Sequence, residues 1–383
     1  MQIVAIREKT VSLASPMRNA GIGFADMTAS AVVVVTDVMR RGKPVVGLAF
    51  DSVGRFAHGG LLRERFIPRL LAADPEDCLD AASGSFDPFR IWAVLMQNEK
   101  PGGHGERPGA VGLLDAALWD IVAKLEEKPL WSLLSERFGD GHPEPRVAVY
   151  ASGGHYRAAD DLVLLRDETQ RCVALGHRRM KIKFGGLPLS DDLKRIETAL
   201  DVLGAGEALA VDCNAAFPPV RAREMAAALA DYRLAWIEEP VQPLDFEAHK
   251  EVVATCRCPI ATGENVFSAA DTLNLLRYAG LRPSVDLLQM DVSLSYGIVE
   301  YLRILDIAGA HGWPRRQFIP HAGHLLALNV VAGLGLGAHE TSAAGPFALN
   351  LPVEDGHVRV GDDPGVGIER HPNLYAVFAD LLP

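Results

Sequence analysis

Two lysines stand two residues apart in Arg179-Met180-Lys181-Ile182-Lys183-Phe184, alternating with Met, Ile and Phe. That alternation marks a strand, and a period of two puts both ammonium groups on one face. Alone, the stretch reads as an edge strand with solvated lysines. Further along the chain, short apolar runs end in polar residues: Asp212, Glu238, Glu264, Asp291, His321 and Glu340, in that order. Asp212, Glu238 and Glu264 close three consecutive runs. Carboxylates gathered that closely repel one another, and an all-oxygen set calls for a hard divalent cation, Mg²⁺ rather than zinc. Lysines facing such a cation would put a base opposite a metal.

Parity refines the set. In Val211-Asp212-Cys213-Asn214, Asp212 and Asn214 share a face and Cys213 points away. In Trp236-Ile237-Glu238-Glu239-Pro240, the two glutamates point apart while the strand lasts, and parity does not choose between them. His324 lies three residues beyond His321 and competes with it for any acid–base role.

The elements that must hold these side chains follow a rhythm. From residue 146 onward, strand-like runs at 146–150, 179–184, 208–214, 234–239, 260–264, 285–291, 318–321 and 338–340 alternate with helical segments. The spacing is mostly about 26–30 residues, one strand plus one helix, as an alternating β/α chain requires. Seven or eight such units predict an α/β fold of the TIM-barrel type, in which strand C-termini gather at the active end; an open doubly wound sheet is the alternative. Ahead of this, residues 3–13, 31–37 and 45–50 read as strands. Residues 112–125 read as an amphipathic helix after a loop at 99–107. The expected organisation is an α+β domain over 1–140, a barrel over 141–345, and a closing segment over 346–383 that returns to the first domain.

Composition sets limits. The 383 residues carry a net charge of -11, with 49% hydrophobic and 23% charged residues. An acidic chain offers no basic footprint for nucleic acid or anionic membrane. No apolar run is long enough to span a bilayer. Five scattered cysteines suit free thiols and a cytoplasmic location better than a disulfide framework. Cys256-Arg257-Cys258 lacks the spacing and the partner cluster of a zinc site, and Gly333-Leu334-Gly335-Leu336-Gly337 lacks the spacing of a dinucleotide fingerprint. The glycines of 102–105 lack the Gly-Lys-Ser/Thr of a phosphate cradle.

Lys-Ile-Lys, Asp-Cys-Asn, Trp-Ile-Glu-Glu-Pro, Thr-Gly-Glu-Asn and Ile-Pro-His in this order resemble the enolase superfamily, in its mandelate racemase branch. The resemblance extends to Ala117-Leu118-Trp119-Asp120 and to Pro364-Gly365-Val366-Gly367. Within the branch, the stretches at 98–107, 294–297 and 319–324 are similar to the D-tartrate dehydratases. The resemblance implies a capping domain over a modified (β/α)₇β barrel. It implies Mg²⁺ held by Asp212, Glu238 and Glu264, and a small acid sugar or dicarboxylate as substrate. Lys183 would be the base that takes the proton α to the carboxylate, its pKa lowered by Lys181 and the cation. Lys181 would stay protonated and bind the carboxylate. His321, oriented by Asp291, would be the acid for the departing β-hydroxyl, and Glu340 would donate to or orient around the enediolate if protonated. Asn19, Lys100, His104, Asn214, His155 and His324 complete the expected substrate shell. Val53 and His155 depart from the D-tartrate dehydratase pattern. A racemase or epimerase is the alternative activity, a non-catalytic binding protein a third reading, and a homo-oligomer the expected assembly.

Overall fold

The computed structural model describes residues 1–13, 15, 17–51, 56–139, 144–341 and 349–383. Val53 lies outside them. The first sheet is antiparallel, ordered β1 (Ile3–Ser12), β2 (Thr28–Arg40), β3 (Lys43–Phe50). The β-branched run in β2 is buried along its length, because β1 and β3 flank it and a helix covers the sheet. That helix spans Glu106–Leu125. It starts six residues ahead of the expected 112–125: Pro108 sits in its first turn, where a missing N–H costs nothing. Helix and sheet approach closely. A Cβ on Gly47 would lie 2.0 Å from the Ala117 carbonyl oxygen, so only glycine fits there.

Seven parallel strands form the barrel wall: β4 (Arg146–Gly153), β5 (Met180–Lys183), β6 (Leu209–Asp212), β7 (Ile237–Glu238), β8 (Ile260–Thr262), β9 (Leu287–Leu288) and β10 (His339–Thr341). Their order is β10-β4-β5-β6-β7-β8-β9. The run expected at 318–321 forms a single bridge, Leu288 to Phe318, rather than a strand. It still closes the wall: Ile319 N–H donates to Leu288 O (2.9 Å) and Gly337 N–H to Phe318 O (2.8 Å). Inward-facing Tyr150, Ala210, Trp236, Ala261, Ile319 and Ala338 pack into a small interior layer of their own.

Past the barrel, β11 (His357–Arg359) pairs antiparallel with β4. The chain then reaches back across the cap. Leu130 N–H donates to Gly365 O (2.8 Å), and Arg7 donates to Leu381 O (2.9 Å) and Leu382 O (2.8 Å). Asp120 ties the pieces together, accepting from Leu48 N–H (2.9 Å), Val366 N–H (2.7 Å) and the Lys124 ammonium (2.6 Å). Among the described residues no helix is long and apolar enough to cross a membrane.

Candidate active site

All four residues of β5 are buried, which removes the edge-strand reading. Met180 and Ile182 join the main core, while Lys181 and Lys183 point into the barrel. Register lines up the next charges: Lys183 pairs with Asp212 and Asp212 with Glu238 across β5, β6 and β7. Lys183 Nζ stands 2.5 Å from Asp212 Oδ2. Lys181 Nζ lies 2.5 Å from Glu238 Oε1, 3.3 Å from Glu340 Oε2 and 3.9 Å from Asp212 Oδ2. The Tyr150 ring lies 5.8 Å from the Lys181 ammonium, and the Tyr150 hydroxyl is 3.2 Å from Glu340 Oε2.

As the side chains stand, these partners set the charge state of two of the residues. Burial, the largest influence, and Lys181 pull the Lys183 pKa down, but Asp212 and Glu238 together outweigh them; the net direction is upward. Lys183 is thus held protonated while Asp212 is its partner. For Glu340, burial works against the charge, yet Lys181 and His321 hold it well below the usual carboxylate range. These neighbours favour its charged form. Lys181, surrounded by Glu238, Glu340 and Asp212, is pushed well above its ordinary value despite its burial.

The carboxylate row is crowded. Burial and the neighbouring Asp212, Glu340 and Glu264 charges lift Glu238 to about 7, against the pull of Lys181. Glu238 Oε2 accepts from Trp236 Nε1 (3.0 Å) and Gln289 Nε2 (2.7 Å). Glu239 adopts φ +37°, so the strand ends at Glu238 and parity no longer separates the two side chains. Glu239 is buried beside Glu264, which with burial raises its pKa well above the carboxylate range; Asn265 Nδ2 donates to its two oxygens at 3.0 and 3.1 Å and to Glu264 Oε1 at 3.4 Å. Asn214 (φ +44°), Ala215 (φ +58°) and Ala322 (φ +81°) are left-handed around the same mouth, a concentration of non-glycine strain typical of functional sites.

The donor set suits a hard cation, with several buried carboxylates that destabilise one another's charge. The buried Asn214 Oδ1 also has no hydrogen-bond partner, leaving an acceptor beside Asp212. As the side chains stand, Asp212 is turned to Lys183 and Glu238 to Lys181. Among the described residues no three His, Cys, Asp or Glu groups are grouped to hold an ion.

His321 Nδ1 is 3.0 Å from Asp291 Oδ2, and its Nε2 is 3.6 Å from Glu264 Oε2. Burial lowers its pKa, but Glu264 and Asp291 together raise it to about 9. His324 is differently employed. Its Nδ1 accepts from Ala327 N–H (3.1 Å) and caps the helix Leu325–Leu334, leaving Nε2 at 3.5 Å from Asp291 Oδ1. His155 follows β4; burial and the Lys183 charge lower it to about 3, so its imidazole is neutral.

Two expected substrate contacts have other partners, and a third is exposed. Asn19 Oδ1 accepts from Gly21 N–H (2.9 Å) and Ile22 N–H (2.7 Å), closing its own turn. Lys100 is exposed, and its carbonyl accepts from Arg107 (2.7 Å). His104 stacks on Phe267 (4.9 Å, 18°), and its Nε2 is 3.1 Å from Asn265 Oδ1, so it meets the barrel through Asn265. Arg107 holds this loop by bonds to Glu99 (3.1 Å), Gly102 O (3.1 Å) and the Tyr296 hydroxyl (3.1 Å). Gln289 and Asn265 escaped the sequence reading. Gln289 shares parity with Asp291, a usable signal; nothing in Thr-Gly-Glu-Asn marks Asn265 as the link between Glu239, Glu264 and the cap.

Residues 164–373 match the family model described as enolase C-terminal domain-like. The chain belongs to the enolase superfamily. It is 30% identical over 265 residues to an arabinonate dehydratase of Saccharolobus solfataricus, covering 66% of this chain and 68% of that protein. It is 28% identical to an L-talarate/galactarate dehydratase of Salmonella typhimurium, covering 89% of this chain and 81% of that one. A racemase from Streptomyces coelicolor A3(2), solved with bound magnesium, superposes with a TM-score of 0.79 at 26% identity, covering 97% of this chain and 99% of that one. The superfamily fold is therefore the one seen here, a TIM-like barrel with its capping domain.

Proposed function

We propose that this superfamily member is a Mg²⁺-dependent acid-sugar dehydratase, with a tartrate-like 2,3-dihydroxy dicarboxylate as the favoured substrate. The observation that carries the reading is the order of charges around the barrel mouth. Lys183 stands at one end of the row Asp212, Glu238, Glu264, and the His321–Asp291 pair at the other. The dehydratase relatives support the reaction class, and the resemblance at 98–107, 294–297 and 319–324 supports the diacid.

Asp212, Glu238 and Glu264 would hold the ion, the ligand set implied by the resemblance. When bound, Mg²⁺ would neutralise these carboxylates and supply positive charge to the substrate carboxylate. Lys183, once Asp212 is engaged elsewhere, would lose the partner that favours its protonated form and would take the α-proton. Lys181 supplies a permanent positive charge to the substrate carboxylate. His321, held at Nδ1 by Asp291, presents Nε2 to the site and delivers a proton to the leaving β-hydroxyl. Water departs, and the enol tautomerises to a 2-keto acid. His324 is less suited to this step because its Nδ1 is committed to the helix cap.

The decisive experiment is a screen of mono- and diacid sugars with Mg²⁺, reading 2-keto acid. Turnover of a dihydroxy diacid is expected; binding of Mg²⁺ with no acid sugar dehydrated would sink the proposal. The racemase similarity keeps one second reading, in which the same lysine and histidine exchange an α-proton. Deuterium in recovered substrate without keto product would favour it.

A further inference from the structure

The barrel's other end carries a second feature. At the N-terminal ends of β5, β7, β8 and β9 lies a cavity of about 860 Å³, within the size range of small-ligand pockets. Arg179, Arg233 and Arg257 line it, each within a few residues of the start of β5, β7 or β8. Among the described residues none of the three stands within ion-pair distance of a carboxylate. Their neighbours differ: Arg178 meets Asp355 at 2.7 Å and Arg282 meets Asp286 at 2.6 Å. Glu207 and Asp231 also line the cavity, so three cations face two acids in a chain whose net charge is -11.

The floor is apolar. Trp236, Val285 and Leu287 form part of it, and the Arg179 guanidinium lies over the indole at 5.7 Å. The nitrogen of that indole donates to Glu238, so one side chain borders both ends of the barrel interior. Guanidinium forks match carboxylate and phosphate oxygens, and an indole floor favours an apolar body.

We infer that this basal cavity binds an organic anion with an apolar body, its carboxylate or phosphate held by Arg179, Arg233 and Arg257 over Trp236. The site is separate from the carboxylate mouth and uses none of its residues for recognition.

Calorimetric titration of the full chain with phenyl phosphate, benzoate and inorganic phosphate tests it. One site per chain is expected for phenyl phosphate or benzoate, at least tenfold tighter than for inorganic phosphate. Whichever aromatic anion binds more tightly identifies the head group. The double variant Arg233→Gln/Arg257→Gln should weaken binding tenfold or more, while Lys183→Ala leaves it within twofold. Val285→Glu, at a surface position 38% exposed, should weaken it similarly without threatening the fold. Absence of millimolar binding would overturn the inference. So would binding indifferent to both cavity variants, or binding lost with Lys183→Ala instead. Dissociation of an oligomer by the arginine variant would overturn it too, since a second copy would then fill the cavity.

Discussion

Two buried aspartate–lysine pairs invite comparison. Asp120 meets Lys124 at 2.6 Å in the cap, and Asp212 meets Lys183 at 2.5 Å in the barrel mouth. Both carboxylates are 1% exposed. Their surroundings differ. Asp120 also takes backbone N–H donors from β3 and from the closing segment, elements far apart in sequence. Its charge is used to join three parts of the chain. Asp120 has a like-charged neighbour, Glu369, which shares Lys124 at 2.6 Å, whereas Asp212 shares its neighbourhood with a second lysine and with the carboxylates that surround it. The difference teaches that burial of an ion pair does not mark function. Convergence of several carboxylates around two lysines points to it, because such crowding lowers stability and persists where another requirement holds it.

The largest expected effect breaks the mouth pair. Lys183→Ala should lower proton exchange and turnover by about 10²–10⁴-fold, the usual contribution of a positioned base, while Mg²⁺ binding, read by calorimetry, is kept. Undiminished deuterium exchange would exclude Lys183 as the base. His321→Asn should abolish elimination to a similar extent, read as 2-keto acid formed.

The cap pair should respond in the other coordinate. Asp120→Ala leaves two backbone donors unmatched, while the Lys124 ammonium keeps Glu369 (2.6 Å) and the Val46 carbonyl (2.9 Å), and should destabilise the chain by about 1–3 kcal/mol in urea unfolding. Its kcat per folded molecule should stay near that of the parent. A variant that loses kcat while keeping its unfolding midpoint would erase the distinction between the two pairs.

A third buried cluster tests the cap by pH. His58 is bonded to Asp51 through Nδ1, and its Nε2 is 2.9 Å from Glu106 Oε2. Burial lowers its pKa, but the two carboxylates raise it to about 9 from an ordinary 6.5. A raised folded-state pKa stabilises fully below 6.5 and loses that stabilisation as pH climbs through 9. The melting temperature should therefore fall between pH 7 and 10, and His58→Gln should flatten that fall. Equal slopes for parent and variant would remove His58 as the cause.

The smallest effect separates the two histidines of Ile-Pro-His-Ala-Gly-His. His324→Ala removes a helix cap and should destabilise by about 1 kcal/mol, with far less loss of turnover than His321→Asn. The reverse ranking would make His324 the acid.

Much of this layout was legible in the chain. Alternation in 179–184 set Lys181 and Lys183 on one face, and the repeating β/α spacing put Asp212 and Glu238 at strand ends, Glu264 and Asp291 just beyond theirs, and Glu340 within the last strand, while His321 follows a single bridge. These are local consequences of a two-residue period and of strand length, so sequence alone determines them. The partners were not legible. Parity is silent about Glu239 because a left-handed residue ends the strand there. The protonation of Lys183 and Glu340 depends on which charge stands within a few ångströms on strands far apart in sequence, Asp212 for Lys183 and Lys181 for Glu340. His324 is a cap only because a helix begins at Leu325, and Asn19 and His104 face partners that loop packing supplies. Coulomb and hydrogen-bond energies fall steeply with distance, and distance between remote segments exists only once the barrel closes and the cap settles on it.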